Sequence, residues 1–121
     1  MNPNQLTEKI IKACYEVHTE LSIGFVEKVY ENALVIALRE LGLRASPQHP
    51  IQVHFRNQVI GEYFADILVE EKIVLELKAV KTLRPEHQAQ LINYLNASHL
   101  NVGLLINFAK KGLEIKRASS R

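Results

Sequence analysis

The chain has 121 residues and a mass of 13.8 kDa, with 47% apolar and 23% charged residues. That is the size of one domain and the composition of an ordinary globule, which excludes disorder, collagen and coiled coil as readings of the whole chain. Apolar runs such as Val102–Ile106 fall far short of the roughly 18 residues that a membrane span needs, and Met1–Lys12 is too polar for a signal peptide, so no membrane partner is expected. The net charge of +2 and pI of 8.7 do not define a nucleic-acid binder. Five cations between Lys110 and Arg121 against Glu114 read as solvated surface or as phosphate contacts. Cys14 is the single cysteine and has no internal disulfide partner, which fits a reducing cytoplasm.

Leu6, Ile10, Cys14, Val17 and Leu21 recur at helical steps. Cys14 lies in that stripe and reads as a small buried apolar residue. Ser22-Ile23-Gly24 interrupts the pattern. A second helix then places Val26, Val29, Tyr30, Ala33, Leu34, Ala37, Leu38 and Leu41 on one side, and Gly42 suits its left-handed end.

Ile51, Val53 and Phe55 alternate with polar residues, as in a half-buried strand. Asn57-Gln58 reads as a turn, Val59–Val69 as a second strand and Ile73–Val80 as a third. Pro85 suits the first turn of a helix that runs to about Ala97. Val102–Phe108 is nearly all apolar and reads as a strand buried on both faces, and Leu113–Arg117 alternates like a short last strand. The order predicts an α/β fold. A three-strand meander crosses through a helix into a further strand or two, giving a mixed sheet flanked by helices.

The third strand carries the anomaly. Glu76 and Lys78 project together from a strand with apolar neighbours. They form either an ion pair at a sheet surface or part of a site, because a buried carboxylate is costly unless paired or holding a metal. Asp66 interrupts the apolar run Tyr63–Val69, where aspartate is a poor strand residue. A two-residue loop at Glu70-Glu71 would set Asp66 opposite Leu75. A three-residue loop, Glu70 to Lys72, pairs Val69 with Ile73 and Asp66 with Glu76, and this odd-length loop (or an equivalent bulge) is the prediction.

Two adjacent carboxylates repel unless a cation sits between them, and such oxygen ligands suit Mg²⁺ or Mn²⁺. Lys78 would stabilise charge on a phosphate or orient an attacking water, so the set describes metal-assisted phosphodiester hydrolysis. Glu27, in the first turn of the second helix, is the third acid; its plain alternative is a solvent-facing glutamate favoured by the helix dipole. His87, Gln90 and Tyr94 share one face of the third helix and line the same site or form ordinary surface.

Together these residues resemble the PD-(D/E)XK nuclease superfamily. Asp66 followed by Glu76-Leu77-Lys78 looks like its Asp…(Asp/Glu)-x-Lys signature. Gln90-Leu91-Ile92-Asn93-Tyr94 is similar to the Gln-x-x-x-Tyr element of its RecB-like exonuclease branch. Gly24-Phe25-Val26-Glu27-Lys28-Val29-Tyr30 matches Gly-x-x-Glu-x-x-Tyr, which names a family of small bacterial and archaeal proteins, and the likeness runs from about Leu6 to Arg117. The resemblance implies a single nuclease-like domain over residues 1–121 with a restriction-endonuclease-like core. It implies Asp66, Glu76, Glu27 and the Leu77 carbonyl as ligands of Mg²⁺ or Mn²⁺, Lys78 as the catalytic lysine, and Gln90 and Tyr94 as substrate contacts or supports. His18 would be peripheral. The implied activity is hydrolysis of DNA; a module that binds nucleic acid or protein without cutting is the alternative. A core this small would work alone, as a homodimer or within a larger complex. The chain departs from the family's usual Leu-Gly-Pro-Gly with Leu21-Ser22-Ile23-Gly24, in the loop that aims Glu27, and has Ala65 where proline is usual.

Overall fold

The computed structural model describes residues 1–121. Two helices lead, α1 (Pro3–Leu21) and α2 (Glu27–Glu40). Three strands follow, β1 (Ala45–Phe55), β2 (Gln58–Val69) and β3 (Ile73–Lys78), then helix α3 (Pro85–Ser98) and strands β4 (Val102–Ala109) and β5 (Gly112–Ser119). The five strands form one sheet in chain order. Neighbours are antiparallel except β3 and β4, the pair joined through α3. A parallel return cannot be made by a tight turn, so the helix supplies the crossover.

Each sheet face has its own core. Leu6, Ile10 and Val17 of α1 and Leu34 and Leu38 of α2 pack on Ile67, Leu75 and Ile106. On the other face, Leu91 and Leu95 of α3 pack on Val74, Leu105 and Ile51. Every residue of β4 except Val102 and Gly103 is therefore an apolar or amide side chain closed off from water, as its unbroken apolar run predicts. Gly103 lets α3 approach: a Cβ there would stand 2.8 Å from Leu91 Cδ1 and 3.1 Å from the Val74 carbonyl. Cys14 is buried in the first core, and burial pushes its thiol pKa up to about 12, so it is a packing residue without nucleophilic character.

The ends of the elements follow local chemistry. Asn2 and Gln5 cap α1 reciprocally, with Pro3 in the first turn. Pro85 opens α3 as expected, and the Arg84 amide donates to His87 Nδ1 at 3.0 Å. His87 therefore caps its own helix. Gly42 follows α2 with a φ of +81°.

Several boundaries differ from the sequence expectation. Strand β3 stops at Lys78 rather than Val80, where the chain leaves the ladder, and β5 runs from Gly112 to Ser119 rather than from Leu113 to Arg117. Strand β1 begins at Ala45, well before Ile51. Pro47 and Pro50 hide it, yet it is an edge strand, where a missing N–H is tolerated. The hairpin turn is Arg56-Asn57, one residue earlier than expected, with φ of +49° and +65°. Paired left-handed residues match the twist of the flanking strands.

Across β1 and β2 the sheet changes sides. Ala45 and Ile67 pack under α1 and α2, whereas Ile51 and Ala65, at positions of the same parity, pack under α3. Between them stand Gln48, with φ of +54°, and Asp66. A left-handed residue within a strand breaks the two-residue alternation.

Candidate functional site

The β2–β3 loop is the three-residue turn Glu70–Lys72, closed by a Lys72 N–H···O=C bond to Val69 at 2.9 Å. It pairs Val69 with Ile73, Leu68 with Val74 and Ile67 with Leu75. The next step in that register sets Asp66 opposite Glu76, and there the ladder stops. The Asp66 amide donates to Glu76 Oε1 at 3.1 Å, and the Leu77 amide donates to Asp66 Oδ2 at 2.7 Å. Side-chain oxygens thus take the backbone donors that a continuing ladder would have used, and the strands fork around two carboxylates.

Those carboxylates stand in a costly place. Glu76 is 5% exposed. Burial, then the Asp66 charge, pushes its pKa from 4.5 up to about 8, against the opposing pull of its hydrogen bond and Lys78. Asp66 is raised too, first by burial and then by Glu31 and Glu27, with the Leu77 amide and Lys78 pulling it down. Lys78 is half-buried at the end of β3.

The strand end that carries Lys78 is held from β4. Asn107 is 0% exposed and lies opposite Lys78 in the parallel ladder. Its Oδ1 accepts from the Val80 N–H at 2.9 Å, and its Nδ2 donates to the Val80 carbonyl at 2.9 Å and to Glu114 Oε1 at 2.9 Å. One carboxamide thereby grips both polar groups of a residue beyond the ladder.

Helix α2 supplies the remaining acids. Glu27 is exposed in its first turn and reaches the pair through its field on Asp66. Glu31, one turn later, is 4% exposed, pairs with Lys28 Nζ at 2.6 Å and accepts from Gln48 Nε2 at 2.8 Å. It acts on both Asp66 and Glu76. Sequence reading passed over Glu31. The signal was there: it precedes buried Leu34, Val35 and Leu38 by three, four and seven residues, on the apolar flank of the helix.

Tyr30 aims this helix start. It is fully buried, stacks on Phe108 at 4.4 Å, donates to the Ser22 carbonyl at 2.9 Å and accepts from the Phe25 amide at 3.4 Å. The spacing of Gly24, Glu27 and Tyr30 therefore has a local reason. Gly24, at φ +102°, turns the chain, and Tyr30 ties the turn down. His18 lies behind this strap, 6.4 Å from the Phe108 ring, with Nε2 buried and unpartnered.

On α3, Tyr94 is buried at the acid pair's side of the sheet. Burial, Glu76, Tyr63 and Asp66 together raise its hydroxyl pKa. Gln90, one turn earlier, is exposed and lines a groove beside Tyr94. The fold thus brings Asp66, Glu76 and the Leu77 backbone into direct contact. Lys78 and Glu31 act on both acids electrostatically, Glu27 acts on Asp66, and both acids raise the pKa of Tyr94. As the side chains stand, no three acidic, histidine or cysteine groups are close enough to enclose an ion. The donor chemistry fits a hard divalent cation: two converging carboxyl groups whose pKa values are raised by burial and by neighbouring carboxylates, with further carboxylates one helix turn apart.

A mixed sheet that forks at an acid pair, with a lysine two residues along the inner strand, defines a nuclease-like α/β protein. The chain belongs to the PD-(D/E)XK nuclease superfamily, whose sequence profile matches residues 4–118. Its fold is similar to the crystal structure of SSO0001, with a TM-score of 0.60 and 16% identity, over 77% of this chain and 49% of that one. The chain thus spans about half the length of that structure, and the likeness concerns fold alone. No curated protein matches the sequence. No helix is long and apolar enough to cross a membrane.

Proposed function

We propose that the protein is a Mg²⁺- or Mn²⁺-dependent nuclease that hydrolyses phosphodiester bonds of DNA, and that it belongs with the Gly-x-x-Glu-x-x-Tyr group of the RecB-like branch. The observation that carries this reading is the fork at which Asp66 and Glu76 meet, two residues from Lys78. Asp66, Glu76, the Leu77 carbonyl and Glu27 would hold the ion, with Glu31 as a further buried carboxylate beside them. A divalent ion bound there would polarise the phosphate and acidify a water. Lys78 would place its ammonium beside the charge that grows on the phosphate during attack. Gln90 and Tyr94 would seat the substrate backbone from α3. Once ionised, the two carboxylates would repel a bare phosphate until a cation balances them, which makes substrate and ion binding mutually dependent.

A second reading has one observation in its favour. Both carboxylates are already engaged by backbone amides, and no third acid closes on them. That arrangement also suits a module that binds nucleic acid or protein without cutting.

Cleavage separates the two. Plasmid, single-stranded and end-labelled DNA are incubated with Mg²⁺ or Mn²⁺ and the wild type, Lys78→Ala or Asp66→Asn. The nuclease reading expects metal-dependent cleavage that each substitution reduces by about 10²-fold or more. Cleavage unchanged by both substitutions contradicts it, and salt-sensitive retention without cleavage favours the binding module.

A further inference from the structure

Beyond the acid pair, a groove of about 810 Å³ runs between α3 and the β1–β2 hairpin. That volume suits a small organic group such as a nucleobase. Tyr63 and Tyr94 both line it and pack on each other, with ring centroids 5.4 Å apart and planes tilted by 39°. Tyr94 is buried, but Tyr63 is 47% exposed, so part of its ring is accessible to a ligand. The Tyr63 ring lies over Gly61, 3.3 Å from where a Cβ would stand, and any larger residue would lift the ring.

The polar groups around the groove are three amides, two histidines (His54 and His99) and the charged Glu86 and Arg121, beside the two tyrosines. Asn93 and Asn96 bind Arg121, through its guanidinium at 3.0 Å and its backbone amide at 3.0 Å, and this sets a cation at the groove wall. The Asn96 Nδ2 is buried there with no acceptor in the protein. Glu86 is the sole carboxylate lining the groove, and it is paired with Arg84 at 3.3 Å.

We infer that this groove takes an unpaired nucleobase of a single strand, stacked on Tyr63, while the strand's backbone passes along α3 toward the acid pair. A half-exposed aromatic ring beside amides, histidines and a cation matches the flat, polar-edged shape of a base and the charge of its phosphate. A base inside an intact duplex has both faces stacked on its neighbours and cannot also stack on Tyr63. The protein therefore engages single strands, or duplex ends that fray. The direction of the strand rests on the proposed nuclease reading; binding in the groove does not.

The test measures binding and cleavage separately. Fluorescein-labelled hexathymidylate and a labelled 20-base-pair duplex (a length chosen to be roughly two turns) are titrated with wild type, Tyr63→Phe, Tyr63→Leu and Tyr63→Ala in EDTA. Tyr63 is half exposed, so the variants should fold, and their melting curves confirm it. The inference expects single strands to bind more tightly than duplex. It expects Tyr63→Phe to retain affinity and both Tyr63→Leu and Tyr63→Ala to lose roughly tenfold. Equal affinity across the variants, or preference for the duplex, overturns it. Tyr63-dependent binding without metal-dependent cleavage upholds the groove and removes the nuclease reading. Cleavage of single strands at an unchanged rate and KM in Tyr63→Ala does the reverse.

Discussion

The Asp66 amide donates to the Glu76 carboxylate at 3.1 Å, so one acid's backbone satisfies the other acid's side chain across the fork of β2 and β3. The bond does not compensate fully for burial, and the Glu76 pKa rises from 4.5 to about 8. An unfolded chain releases that proton near 4.5, whereas the folded chain retains it to about 8. Between those values the native state binds more protons than the unfolded state, so stability falls as pH rises. The melting temperature of the ion-free protein should therefore decline from about pH 5 to about pH 8. In Glu76→Gln this decline should flatten. Thermal denaturation across that range checks it. A profile that rises with pH would place the carboxylate in a very different environment.

Asn107 should prove a support for the strand end that carries Lys78. Its amide grips both polar groups of Val80. Asn107→Ala strands those groups and should cost about 2–4 kcal/mol in urea denaturation. Asn107→Asp keeps an acceptor for the Val80 N–H but loses the donor and faces Glu114, so it should be no more stable than the alanine variant.

Ser22 occupies a conformation that glycine adopts freely. Its φ is 63° and its ψ is −146°. Ser22→Gly should stabilise the protein by about 1 kcal/mol, read by thermal or urea denaturation. The Tyr30 hydroxyl already binds the Ser22 carbonyl, so the loop geometry should persist.

Glu31 should tune the acid pair. Its charge raises both Asp66 and Glu76. Glu31→Gln removes that repulsion, so the acidic limb of a cleavage pH profile should move to lower pH. An unmoved limb would confine Glu31 to its partners Lys28 and Gln48.

Most of the architecture was legible because the periods were strong. The stripe from Leu6 to Leu21, the apolar run of β4 and the loop parity that sets Asp66 opposite Glu76 all came through. The first half of β1 did not, since Pro47 and Pro50 suppress a strand signal that only an edge position permits. Glu31 was missed because a single glutamate within a helix looks like surface until its neighbours are placed. The contact between Glu31 and Gln48 joins residues 17 apart through a left-handed kink, and no local pattern announces it. Convergence of Glu27 on the pair was what the family resemblance implied, whereas its place at the helix start alone read as solvent-facing. The fold brings its field there, but its carboxylate stays outside direct contact.

Crystals soaked in Mn²⁺ and examined by anomalous scattering give the most direct test. The account predicts a peak at the β2–β3 fork, with Asp66 and Glu76 oxygens at about 2.1 Å. The peak should be absent in the Asp66→Asn, Glu76→Gln double variant. No peak at the fork of the wild type, or a peak that persists in the double variant, would contradict it.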